Sequence, residues 1–265
     1  IRILFASDIH GSDIVFRKFI NAARIYKVDA LIYGGDITGK VLIPILKTSQ
    51  GYVAAMIDNS IQYLNSESHL REFINSMKNK GFYTYIVSSK DEYDELKNNT
   101  ELREKIFKNL MIERIREWIK FVNTKLADTH IKLFWQPGND DFIGIEEYME
   151  TDSELIILIN ERVVDFFNLK LAGLSYANMT PWHAPRDVPD NELWEIIVNT
   201  LKKYGYNIGD KGNDLILEYH PHAYNKKFEL APIIKNYVSY DIKVSEFIVD
   251  HVESVSVRKM SEEFQ

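Results

Sequence analysis

The sequence predicts an α/β fold built on a mainly parallel sheet, and three features carry that expectation. Apolar runs over residues 1–6 and 30–33 lead into the polar strings Ser7-Asp8-Ile9-His10-Gly11 and Gly34-Gly35-Asp36. Between them Phe16, Phe19, Ile20 and Ala23 fall at helical spacing behind a candidate cap, Ser12 or Asp13. A strand, helix and strand within about 35 residues make a βαβ unit with a parallel pair. Later apolar runs end in the same abrupt way, residues 131–135 before Pro137-Gly138-Asn139-Asp140-Asp141 and residues 215–219 before His220-Pro221-His222.

The remaining elements follow in chain order. Leu70, Phe73, Ile74 and Met77 have the i, i+3, i+4, i+7 spacing of a helix. Ile86 and Val87 form a short apolar run, and Ser89-Lys90-Asp91-Glu92 fits a capping box. Ile106, Leu110, Ile115, Trp118 and Val122 line one side of a longer, charge-rich helix. Residues from about 40 to 130 therefore read as a helical insertion within a single domain spanning 1–265. Its acidic helices read as a solvated face, and the sharper reading is a lid that selects substrates. Residues 156–158, 163–167 and 169–172 read as strands joined by tight turns, and 191–204 as a helix.

Composition narrows the function classes. With 45% hydrophobic and 27% charged residues, and 15 Tyr, 14 Phe and 4 Trp, the 265-residue chain can bury a sizeable core. A net charge of −7 argues against a nucleic-acid polymer as partner. No apolar run approaches the roughly 18 residues of a membrane span, and the start carries no signal-peptide pattern. The expectation is a cytoplasmic protein with no membrane partner; oligomeric state is not legible. Cysteine is absent, so metal would be held by His, Asp, Glu and Asn.

The chemistry concentrates where strands end. Asp8, His10, Asp36, Asn139 and His220 each follow a predicted strand, and functional crevices of open α/β sheets lie at the carboxyl ends of strands. Carboxylate, imidazole and amide oxygen together suit hard or borderline divalent ions. Asp36 has two oxygens and can bridge two ions, and Asn139 adds a neutral oxygen. Two ions roughly 3.5–4 Å apart can clamp a phosphate and ionise a bridging water. Each piece alone reads first as a turn or loop; the ordered set gives the signal.

Asp8-x-His10, Gly35-Asp36, Gly138-Asn139 and His220, in that order, resemble the motifs of calcineurin-like metallophosphoesterases. Tyr176-Ala177-Asn178-Met179-Thr180-Pro181-Trp182, Pro185-Arg186, Glu229-Leu230-Ala231-Pro232 and Val255-Ser256-Val257-Arg258 are similar to segments of a bacterial and archaeal branch. The resemblance implies a four-layered αββα sandwich and hydrolysis of phosphate mono- or diesters, with a small phosphate ester as substrate. It implies two divalent ions from among Mn, Fe, Zn, Ni and Co, with Mn favoured. Asp8, His10 and Asp36 would hold one ion, and Asp36, Asn139 and His220 the other. Asn178 and Arg186 are candidate substrate contacts; Arg186 could equally form an ion pair.

The chain departs from that pattern twice. Asp140, followed by Asp141, stands where the family's His assists the leaving oxygen, which makes these two carboxylates the candidate catalytic residues. The closing Gly-His-x-His element has no counterpart, and the expectation is that the natural protein continues past Gln265 to supply it. Both departures leave room for an alternative, a phosphoesterase fold with weakened chemistry that serves as a binding scaffold. His222, His251, His69 and His130 read as structural or surface residues, and His183 as a solvent-exposed loop residue.

Overall fold

The computed structural model describes residues 1–206 and the backbone of Leu215–Leu217. The elements run β1 (Ile3–Ala6), α1 (Asp13–Ile25), β2 (Ala30–Tyr33), β3 (Leu42–Thr48), β4 (Gly51–Ala55), β5 (Ile61–Leu64), α2 (Glu67–Asn79) and β6 (Tyr83–Val87). They continue with α3 (Lys90–Asn98), α4 (Thr100–Leu126), β7 (Lys132–Trp135), α5 (Glu146–Met149), β8 (Ile156–Leu158), β9 (Arg162–Phe166) and β10 (Leu169–Gly173). The series closes on β11 (Ala177–Asn178), β12 (Asp187–Val188), α6 (Asp190–Lys203) and β13 (Leu215–Leu217). The chain is a mixed α/β protein, as its apolar pattern predicts. Two compact units divide it: Ile1–Asp8, Ala23–Asp36 and the described residues from Leu126 onward form the first, Ile9–Ala22 and Ile37–Lys125 the second.

The first unit is built on a four-stranded sheet of order β1-β2-β7-β8, parallel throughout. Strands buried on both faces read as unbroken apolar runs, and all four residues of β2 are buried. Alternate residues serve different faces. Ala30, Ile32 and Phe134 of this sheet share a core with Phe166 and Leu171, on the antiparallel pair β9-β10. The two sheets therefore pack face to face. On the far side of β9-β10, Val163 and Ala172 pack with Leu201 of α6. Sheet, sheet and helix make three layers, and β13 extends the second sheet parallel to β10.

The second unit departs from the helical block implied by the apolar spacing. Helices α2, α3 and α4 are present, and Ser66 and Ser89 cap α2 and α3 through the backbone N–H groups of His69 and Glu92. The capping box at Ser89 is offset by one residue, since the Glu92 carboxylate accepts from the backbone of Ser88 at 2.7 Å. Residues 42–64 form strands, however, and with β6 they make a sheet of order β5-β4-β3-β6. Pro44 masks this stretch, because proline is excluded from sheet interiors. Here it pairs only with Tyr85 of β6, and the ladder to β4 starts at Ile45, so the missing N–H falls where the strand has one neighbour. Ile43, Ile45, Ala54 and Leu64 meet Leu70 and Met77 of α2 in this unit's core. Among the described residues no helix is long and apolar enough to cross a membrane.

Candidate metal centre

Parallel order places the ends of β1, β2 and β7 side by side, and the loops that follow carry Asp8, Asp36 and Asn139. The loops are stitched together by main chain: the N–H of Asp8 donates to Gly35 O at 3.0 Å, and that of Gly34 to Ala6 O at 2.8 Å. The N–H of Asp140 donates to Asp36 Oδ1 at 3.2 Å. Tyr33 Oη–H donates to Asp36 O at 3.2 Å and holds the backbone of that residue. Asp36 is 2% exposed.

The approach of the second and third loops depends on glycine. A Cβ on Gly138 would fall 2.0 Å from Asp36 Oδ1 and 2.2 Å from its nitrogen, closer than such atoms come without displacement. Gly35, at φ +122°, faces Gly138 in the same way. Gly138→Ala is expected to push the Asp36 carboxylate out of place, costing about 2 kcal/mol of stability, as overpacking does, and weakening ion binding. Thermal denaturation together with Mn²⁺ titration checks this; wild-type values for both would mean that the loops have room to part.

Ligand atoms of Asp8, His10 and Asp36 lie within 4.8 Å of one another, a grouping able to hold a metal ion. Two carboxylates that close repel by on the order of 3 kcal/mol at an effective dielectric near 20, and a cation reverses the sign. Backbone strain marks the same three residues. Asp8, His10 and Asp36 have φ of 56°, 46° and 53°, in the left-handed region that side chains other than glycine enter at a cost of roughly 1 kcal/mol or more. Ser7 Oγ–H donates to Asp8 Oδ2 at 2.5 Å and orients that carboxylate.

Asn139 is 5% exposed, and its buried Oδ1 has no hydrogen-bond partner among the described residues. Its Nδ2 donates to Asp187 Oδ1 at 2.8 Å. An unsatisfied buried amide oxygen costs about 1–3 kcal/mol, and such an atom fits a cation. The donor set therefore passes the chemical test for a divalent ion: two carboxylates, an imidazole and an amide oxygen.

The other expected residues take different places. Asp140 is partly exposed. Asp141 is wholly buried, and its Oδ2 accepts from Gly138 N–H at 2.8 Å, so it shapes the loop. Arg186 is buried, and its guanidinium donates to Glu146, Ser175, Asp141 O and Phe142 O. Those five bonds use all five of its N–H donors, so a phosphate would have to displace one of them. Asn178 lies in β11 and is partly exposed; His183, His69 and His130 are exposed. His220, His222 and His251, together with the resembling segments at 229–232 and 255–258, lie outside the described residues.

Two residues that sequence reasoning did not single out support these loops. Asp187 holds the Asn139 amide. Arg114 is 8% exposed, and its guanidinium donates to the carbonyls of Gly11, Lys78 and Phe82 and lies 4.8 Å from the Tyr83 ring centroid. Burial lowers its pKa from the ordinary arginine value, offset in part by Tyr83 and Asp13. The available signal for Arg114 was an arginine amid the apolar stripe of α4, which by itself reads as a solvated charge.

No protein-family model matches the chain. It is 24% identical over 142 residues to an uncharacterized protein of Methanocaldococcus jannaschii, MJ1162, matching 53% of this chain and 54% of that protein. The chain thus spans about half the length of the curated relative it matches. Among solved structures, TT1561 of Thermus thermophilus is 13% identical, with a TM-score of 0.45 over 89% of this chain and 78% of that one. A second solved structure is 12% identical, with a TM-score of 0.45 over 88% and 79%.

Proposed function

We propose that this protein is a metal-dependent phosphoesterase of the calcineurin-like superfamily, acting on a small phosphate mono- or diester. The observation that carries the reading is the convergence of Asp8, His10 and Asp36, joined through the Asp140–Asp36 bond to the loop that bears the buried Asn139 Oδ1, which has no hydrogen-bond partner among the described residues. The face-to-face sheets with α6 outside them support the αββα sandwich. In this reading Asp8, His10 and Asp36 would hold one divalent ion, and Asp36, Asn139 and His220 would hold a second, with Mn the favoured metal. Bound divalent ions supply charge neutralisation at phosphate and an ionised water at neutral pH. The chain's part is to fix the ligand oxygens through the loop hydrogen bonds and to leave Asp140 at the partly exposed edge of the set.

The direct test is turnover of p-nitrophenyl phosphate and bis(p-nitrophenyl) phosphate under Mn²⁺, with and without chelator. Metal-dependent hydrolysis is expected; stoichiometric ion binding with no ester cleaved would turn the reading toward a binding scaffold. A further result is expected from Asp140. A carboxylate where the family has an imidazole compromises protonation of the leaving oxygen. Since general acid catalysis contributes about 10²–10⁴-fold, aryl esters should exceed simple alkyl esters in kcat/KM by a factor in that range. Comparable values for the two would show that another group protonates the alkoxide.

A further inference from the structure

Among the described residues Asp187 accepts four hydrogen bonds, and they divide between its two oxygens. Oδ2 takes the N–H and the hydroxyl of Thr180, the former at 3.0 Å, and the N–H of Ala184 at 2.9 Å. Oδ1 takes Asn139 Nδ2 at 2.8 Å. A carboxylate so used offers only acceptors, so the amide opposite it must present its NH₂. Because the amide is planar, Asn139 Oδ1 is then turned to the other side, where it is buried with no hydrogen-bond partner among the described residues. The N–H of Arg186 also donates to Asn139 O at 2.9 Å, which holds the backbone of Asn139 against the segment that carries Asp187.

We infer that Asp187 is a positioning residue for the metal centre: it sets which face of the Asn139 amide is offered to the ion. The inference rests on the metal-centre reading above. The uncommitted amide has two orientations, one presenting oxygen and the other an NH₂ that repels a cation. Asp187 removes the second, because turning the amide over would put Oδ1 against Oδ1. The three bonds to Oδ2 hold the carboxylate in place for this task, so the segment between Thr180 and Asp187 acts as its mount.

A reciprocal exchange tests this. Asp187→Asn sets an amide against an amide and allows Asn139 to turn its NH₂ toward the ion; Mn²⁺ affinity at one site should fall about 10- to 100-fold, the usual effect of losing a partner that orients a ligand. In Asn139→Asp/Asp187→Asn the pattern is restored. The new amide donates Nδ2–H to the new carboxylate and still offers Oδ1 to Thr180 and Ala184. Mn²⁺ affinity should return to within a few-fold of wild type. Thr180→Val removes one bond to Oδ2 and leaves the Asn139 contact, so it should bind Mn²⁺ nearly as wild type does. Calorimetric titration of the metal-free proteins reads affinity and stoichiometry, and their melting temperatures report on folding. If wild type binds Mn²⁺ and Asp187→Asn binds it equally well, or the exchange brings no recovery, the positioning role is overturned while the metal centre stands. It is overturned likewise if Thr180→Val loses as much as Asp187→Asn, since anchoring of the segment would then be the cause. A wild-type chain that takes up no Mn²⁺ overturns the metal-centre reading, and the role of Asp187 with it.

Discussion

Asp36→Ala is expected to abolish ion binding at both sites and esterase turnover with it. Asp36 would stand at the centre of the proposed ligand set: it groups with Asp8 and His10, and its Oδ1 receives the N–H of the residue that follows Asn139. Loss of a residue that merely orients a ligand costs about 10–100-fold in affinity or activity, and loss of a shared ligand should exceed that at each ion. His220→Ala, which removes a ligand from one proposed site only, should reduce the Mn²⁺ stoichiometry from two toward one. Calorimetric titration separates the cases. Two intact sites in Asp36→Ala would sink the bridging assignment. Because the Asp36 carboxylate also ties down the loop after β7, the melting temperature of the metal-free variant belongs beside the titration.

The second large effect is on folding. The Arg186–Glu146 pair joins the segment before β12 to α5, with the Arg186 side chain 2% and the Glu146 side chain 26% exposed. Removing one partner of a buried pair costs about 3–5 kcal/mol; since Glu146 keeps some contact with water, Arg186→Met should fall near the lower end. For a chain of this size that is a drop in melting temperature of roughly 10 °C. The pH dependence is specific. Burial alone would raise the Glu146 pKa, but the Arg186 hydrogen bonds and charge, with a bond from Asn160, more than offset it and hold the carboxyl below its ordinary value of 4.5. A depressed folded-state pKa contributes stability above the unfolded value and loses it as pH falls through the folded one. The gap between wild type and Arg186→Met should therefore be widest near neutrality and close as pH falls below about 4.5. A gap constant from pH 7 to pH 3 would show that packing around the Arg186 stem, not the ion pair, is what the substitution removes.

Elements whose apolar period matched their surroundings could be read in advance. β2 and β8 lie where the apolar runs placed them, and the stripe Leu70, Phe73, Ile74 and Met77 falls within α2. The sheet of the second unit could not be read, because Pro44 argues against a strand until its neighbours on either side are known. The helix of residues 100–126 was legible by its apolar side, yet the buried Arg114 within it was not, because a sequence window does not reveal three carbonyls arriving from Gly11, Lys78 and Phe82.

The candidate ligands divide in the same way. Asp8, His10, Asp36 and Asn139 stood out as candidates from one-dimensional order alone, because polar residues just after parallel strands come to the carboxyl rim of the sheet; of these, Asp8, His10 and Asp36 form a grouping able to hold a metal ion. Roles that depend on partners far along the chain were decided by tertiary contacts. Arg186 has chemistry suited to a phosphate, but its five donors meet acceptors brought by the loop after β7, by α5 and by Ser175. Asp141 has chemistry suited to catalysis, but it is buried against Gly138. Asp187 drew no notice beside Arg186, yet it is the residue that meets the Asn139 amide. Side-chain type fixes what a group is able to bind; which partner reaches it first, and whether water is excluded from the pair, is settled only when the loops close over one another.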